Sequence, residues 1–104
     1  MKASPHPYVY VFVRSDLSIP QQLVQVGHAC QEAGAKYGCP ENCHLVLISA
    51  KNQQALNKIA LELEVFGLSH VHFFEPDINS YTAICTEPLN QNQRGEMKKY
   101  QLYR

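Results

Sequence analysis

Apolar and polar positions switch between two periods along this chain, and the switches mark its elements. Tyr8 to Val13 is apolar throughout and rich in β-branched and aromatic side chains, which predicts a central strand buried on both faces. Ser18-Ile-Pro-Gln21 is a helix start, with Ser18 as N-cap, Pro20 in the first turn and Gln21 completing a capping box. That helix runs to about Tyr37 and stops at Gly38 and Pro40. Gly27 and Gly34 weaken it, and Gly27 is read as a point of close packing on the sheet. His44 to Ala50 is a second apolar run and a second strand. From Asn52 to Phe66, Leu56, Ile59, Ala60, Leu63 and Phe66 form a helical stripe, closed by Gly67. Ser69 to Phe74 and Tyr81 to Thr86 are the third and fourth strands, joined by the turn Glu75-Pro-Asp-Ile-Asn79. Pro88 ends the sheet, Gln91 to Lys99 forms a short basic helix, and Tyr100 to Tyr103 a tail.

The order β-α-β-α-β-β-α predicts an α/β protein: one domain over residues 1–104, with a mixed four-stranded sheet and helices on both faces. The β-α-β crossovers imply parallel neighbours where their strands pair, and the short last link implies an antiparallel pair. A length of 104 residues suits one modest core. No apolar run approaches the roughly 18 residues that span a membrane, so no membrane partner is expected. The start, Met-Lys-Ala-Ser-Pro-His-Pro, lacks a signal peptide's apolar stretch, and a cytoplasmic protein is expected. An uncovered edge strand leaves room for a homodimer.

Charge changes this picture only at the C-terminal end. The formal net charge is zero, which argues against strong nonspecific binding of nucleic acid. Residues 91–104, however, hold Arg94, Lys98, Lys99 and Arg104 against Glu96 alone. That end is either a phosphate contact or a solvated basic helix. Of the four cysteines, Cys30 and Cys85 sit in apolar contexts and read as small hydrophobes. Cys39-Pro-Glu-Asn-Cys43-His44 has a spacing that zinc sites use, yet Pro40 and Asn42 mark a loop and no second ligand pair stands nearby. No metal is expected there, nor at His70 and His72, which alternate on the third strand without a third ligand.

Chemistry concentrates where the first strand ends. Gln21, Gln25, His28 and Glu32 are spaced along one helical face, and open α/β sheets place sites at the carboxyl ends of strands. Histidine is the side chain whose ordinary pKa lies near neutrality, and His28 is either a base that activates water or a helix histidine satisfied by a backbone carbonyl. Arg14 either pairs with Asp16 to fix the loop or grips a phosphate or carboxylate. Glu75 ends a strand and is the better functional acid of the turn, with Asp77 favoured as a turn former. Ser80 and Thr82 offer hydroxyls to a substrate carbonyl or ribose. No phosphate loop, nucleophile elbow or metalloprotease helix occurs.

The run Val11-Phe-Val-Arg14-Ser-Asp16-Leu17, followed by Gln25-Val-Gly-His28-Ala29, resembles the opening of the type 2 peptidyl-tRNA hydrolases. Phe66-Gly67-Leu68, the acidic turn and strand from Glu75 to Pro88, and Lys98-Lys99-Tyr-Gln-Leu-Tyr103 are similar to later parts of that family. The resemblance implies a mixed four-stranded α/β fold, an enzyme that cleaves the ester joining a peptide to tRNA during translation, tRNA as partner, and no cofactor. It implies catalytic roles for Gln25, His28, Glu75 and Asp77. Substrate contacts would come from Arg14, Gln21, Ser80, Thr82, Lys98 and Lys99. The chain departs from the pattern at Gln21, where the family carries lysine, and in Glu75-Pro76-Asp77, where it carries Asp-Ala-Gly. Loss of a lysine that stabilises an oxyanion or holds a phosphate leaves an alternative: an inactive member that binds RNA, a nucleotide or a protein.

Overall fold

The computed structural model describes residues 6–104. Its elements are β1 (Tyr8–Arg14), α1 (Ile19–Tyr37), β2 (His44–Ala50), α2 (Gln53–Val65), β3 (His70–Glu75), a 3₁₀ turn (Pro76–Ile78), β4 (Ser80–Thr86) and a C-terminal 3₁₀ helix (Gln93–Lys99). They form one domain around a four-stranded mixed sheet of order β2-β1-β4-β3. β1 runs parallel to β2 and antiparallel to β4, and β4 runs antiparallel to β3. The β2-to-β3 crossover therefore spans the whole sheet, and its two strands are not neighbours.

Side-chain alternation on the strands builds two cores. Tyr10, Phe12, Ile48 and Ile84 face α2, where they meet Leu56, Ile59, Ala60 and Leu63. Val11, Val13, Val71, Ala83 and Cys85 face α1, where they meet Ala29 and Ala33. Small residues on the inner stripe of α1 let it lie close to the sheet; the larger stripe of α2 fills a deeper layer. No helix among the described residues is long and apolar enough to cross a membrane.

Local signals explain the boundaries. Ser18 Oγ accepts from the Gln21 amide at 3.3 Å and caps α1. The capping box is only half formed, because the Gln21 side chain turns along the helix and accepts from Gln25 instead. Asn52 caps α2 through the Ala55 amide at 2.8 Å. At the other end of α2, Leu68 donates to Leu63 and Gly67 to Glu64, a Schellman ending that needs the positive φ of 76° at Gly67. Gly27 is not a close-packing point: a methyl group there would meet nothing within 4 Å.

The last helix differs from the α-helix expected. It is 3₁₀, since seven residues with Gly95 inside are too few to propagate an α-helix, and short 3₁₀ pieces serve such connections. Met97 anchors it to the α2-side core. The tail beyond it is not loose. Ser49 donates to Gln101 at 3.3 Å and Tyr103 to Leu47 at 3.0 Å, so the tail pairs with the outer edge of β2 and covers it.

Candidate functional site

One irregularity in the sheet organises the polar residues. β3 and β4 pair Phe73 with Ala83 and then Phe74 with Tyr81, which leaves Thr82 as an extra residue in β4. Such a bulge re-aims a side chain, and here the Thr82 hydroxyl reaches the α1 face. It donates to Gln25 Oε1 at 2.7 Å. Gln25 is 1% exposed, and its amide donates to Glu75 Oε1 at 3.0 Å and to Gln21 Oε1 at 3.2 Å. Both N–H groups and the carbonyl of this buried carboxamide are thus engaged.

Glu75 is where the network reaches solvent. Its other oxygen accepts the Asp77 backbone N–H at 3.2 Å, so Glu75, rather than Asp77, caps the hairpin turn. The Gln25 amide, then the Asp77 N–H, and more weakly the charge of His28, hold the Glu75 carboxyl below its ordinary value against a smaller opposing effect of desolvation. Glu75 is consequently a standing anion at neutral pH. Asp77 is exposed, and its side chain takes no part in this network among the described hydrogen bonds.

His28 lies one helical turn beyond Gln25 on the exposed rim. Its ring stacks on Phe73 with centroids 4.9 Å apart and planes 9° from parallel. Phe73 and Glu75 alternate onto the same face of β3, so the imidazole and the carboxylate face each other across the rim. No hydrogen bond joins His28 to Glu75 or Asp77 among the described residues; the link between His28 and Glu75 is electrostatic.

Arg14 closes the other side. It pairs with Asp16 through two contacts of 2.9 Å, and its Nη1 donates to Ser80 Oγ at 3.1 Å and to the Tyr81 carbonyl at 3.2 Å. Arg14 thereby ties the end of β1 to the β3–β4 hairpin, and its hydrogen bond holds the Asp16 carboxyl below the usual range. The structure brings together Arg14, Gln21, Gln25, His28, Glu75, Ser80 and Thr82. It does not bring Lys98 and Lys99 to them. Lys99 pairs with Glu62 of α2 at 3.4 Å, and Lys98 borders a hollow lined by Tyr10 and Ile48, on the opposite side of the sheet.

One buried polar group behind this site, Gln22, was not singled out from the sequence. Gln22 is 4% exposed; it donates to the Leu17 carbonyl at 2.7 Å and accepts from the Tyr103 hydroxyl at 2.7 Å. The signal was present, since Gln22 falls on the inward side of α1 with Gln25, Ala29 and Ala33. A cavity of about 820 Å³ lies elsewhere, around the edge strand β3, and includes His70, His72 and Tyr81. The Gln25 site is instead an open surface notch with Gln21, His28 and Asp77 exposed around it. Among the described residues no group of three or more His, Cys, Asp or Glu is placed to hold a metal ion.

No protein-family model matches the sequence, and no curated protein matches it. Among solved structures the chain is similar to a protein of unknown function, Atu0240, from Agrobacterium tumefaciens strain C58. The TM-score is 0.72 at 14% identity over 97% of this chain and 100% of that one. At that identity the likeness establishes a shared fold.

Proposed function

We propose that the chain hydrolyses an acyl ester on tRNA, as its resemblance to the type 2 peptidyl-tRNA hydrolases implies. The observation that carries the proposal is the buried Gln25 carboxamide, held between Thr82 and Glu75, with His28 one turn away facing the same carboxylate. An open notch suits an ester that protrudes from a large substrate. His28 takes a proton from water as general base, and the Glu75 anion stabilises the imidazolium that forms. Gln25 has no free donor left, so it acts as a positioning residue that orients and ionises Glu75. The Gln21 amide, on the exposed rim, is the donor for an ester oxygen where the family carries lysine.

A second reading has its own support. Gln21 replaces that lysine, and Lys98 and Lys99 lie across the sheet from the notch. Under this reading the notch binds RNA, a nucleotide or a protein segment without cleaving it.

The test is release of free tRNA from N-blocked aminoacyl-tRNA by the purified protein. The hydrolase reading expects turnover that His28→Ala lowers by about 10²–10⁴-fold and that Gln21→Lys raises. Binding of tRNA without turnover favours the second reading. Absence of both cleavage and tRNA binding overturns the hydrolase proposal.

A further inference from the structure

All four cysteines of the chain line one small recess at the opposite end of β1 from the Gln25 notch. The recess holds about 260 Å³, far more than the roughly 30 Å³ share of a water molecule, and its walls are mostly apolar. Cys30 comes from α1, Cys85 from β4, and Cys39 and Cys43 from the loop before β2. Cys30 and Cys85 are in van der Waals contact, with their sulfurs 3.8 Å apart. A disulfide needs about 2.05 Å. Cys30 is half-buried beside open volume, which leaves it room to turn the remaining distance.

We propose that Cys30 and Cys85 are a peroxide-reactive thiol pair, which reduces hydrogen peroxide in this recess and closes a disulfide between α1 and β4. The proposal is independent of the hydrolase reading. The Cys30 thiolate attacks one peroxide oxygen and the O–O bond breaks. The leaving oxygen takes a proton and departs as water, and Cys30 becomes a sulfenic acid. Cys85 sulfur then attacks Cys30 sulfur, the S–O bond breaks, and that oxygen leaves as a second water with the Cys85 proton. The two thiols lose two electrons and two protons, and the peroxide gains them.

The division of labour follows from position. Cys85 is 1% exposed, so peroxide reaches Cys30 first and Cys85 serves as the resolving thiol. The Cys85 S–H directed at Cys30 holds the Cys30 thiol below its ordinary value and raises Cys85, and burial raises Cys85 further. Thiolate character is what peroxide attack requires. Cys43 is the poorer nucleophile: burial and the neighbouring Cys39 push its thiol up.

The experiment treats the reduced full chain with a small excess of hydrogen peroxide, counts free thiols and maps cross-linked peptides by mass spectrometry. The expected result is loss of two of the four thiols and a Cys30–Cys85 linked peptide that dithiothreitol releases. Cys85 is in the core and its substitution risks unfolding, so the informative variants are Cys30→Ser and the loop pair Cys39→Ser with Cys43→Ser. The loop variant keeps the disulfide and Cys30→Ser loses it. Persistence of all four thiols, a Cys39–Cys43 link in place of Cys30–Cys85, or Cys30 passing to sulfinic acid without a link each overturns the proposal.

Discussion

Thr82→Val deletes one hydroxyl and keeps the outline of the side chain, so it isolates the bond on which the notch is built. Thr82 is 0% exposed and Gln25 1%, so their 2.7 Å contact is shut off from bulk solvent. The variant strands the Gln25 carbonyl oxygen. An unsatisfied buried polar group costs about 1–3 kcal/mol, against a total of about 5–15 kcal/mol for a domain. With a urea slope of about 2 kcal/mol/M, the unfolding midpoint should fall by about 0.5–1.5 M. Gln25→Met strands the Thr82 hydroxyl in turn and should cost a comparable amount. The double variant replaces both partners with apolar groups of similar shape, so its loss should be smaller than the sum by about 1–2 kcal/mol. Circular dichroism in urea measures all four proteins, since the chain has no tryptophan for fluorescence. A second readout is the Glu75 carboxyl followed by NMR. Once Thr82 no longer fixes the Gln25 amide, the Glu75 pKa should rise toward its ordinary value. A loss under about 0.5 kcal/mol for Thr82→Val, or strictly additive losses, would show that the carboxamide is not held as described.

Two other groups give separate tests. His72 is pressed against Tyr81 with ring centroids 4.0 Å apart; burial, and secondarily the charge of His70, push its pKa down to about 4. The unfolded chain takes up this proton near pH 6.5, so the native state loses stability as pH falls from about 6.5 to about 4 and loses no more from this group below that. Water reaches part of the ring, which reduces the full linkage to about 1–2 kcal/mol. His72→Phe should flatten the stability profile across that window, and an unchanged slope in urea titrations at each pH would contradict the assignment. Tyr103→Phe removes the donor to the buried Gln22 carbonyl and should lower stability by about 1 kcal/mol. A wild-type urea midpoint for that variant would mean that the tail does not hold Gln22.

What could be read from the sequence divides along a physical line. The elements were legible because each face of the sheet carries a helix: Tyr10–Val13 and the stripe Leu56, Ile59, Ala60 and Leu63 are buried, the edge run His44–Ala50 buries Ile48 and Ala50, and burial leaves a pattern. The site was legible only in part because its decisive feature has no pattern. Strict alternation along Ser80-Tyr-Thr-Ala-Ile-Cys-Thr86 groups Thr82 with Ile84 and Thr86, on the α2 side. The bulge opposite Phe73 and Phe74 moves that hydroxyl to α1, where Gln25 waits for it. A bulge is one residue of extra length, and composition does not announce it. The same holds for long-range polar pairs such as Tyr103 with Gln22 or Tyr100 with Glu62, which depend on where a tail lands after the sheet has formed. Lys98 and Lys99 show the converse. Their charge is plain in the sequence, yet topology puts them across the sheet from His28. A tRNA engaged at both places would have to wrap an edge of the sheet. The outer edge of β2 is occupied by the chain's own tail, so such a path would have to run around β3, the strand that carries Phe73 and Glu75.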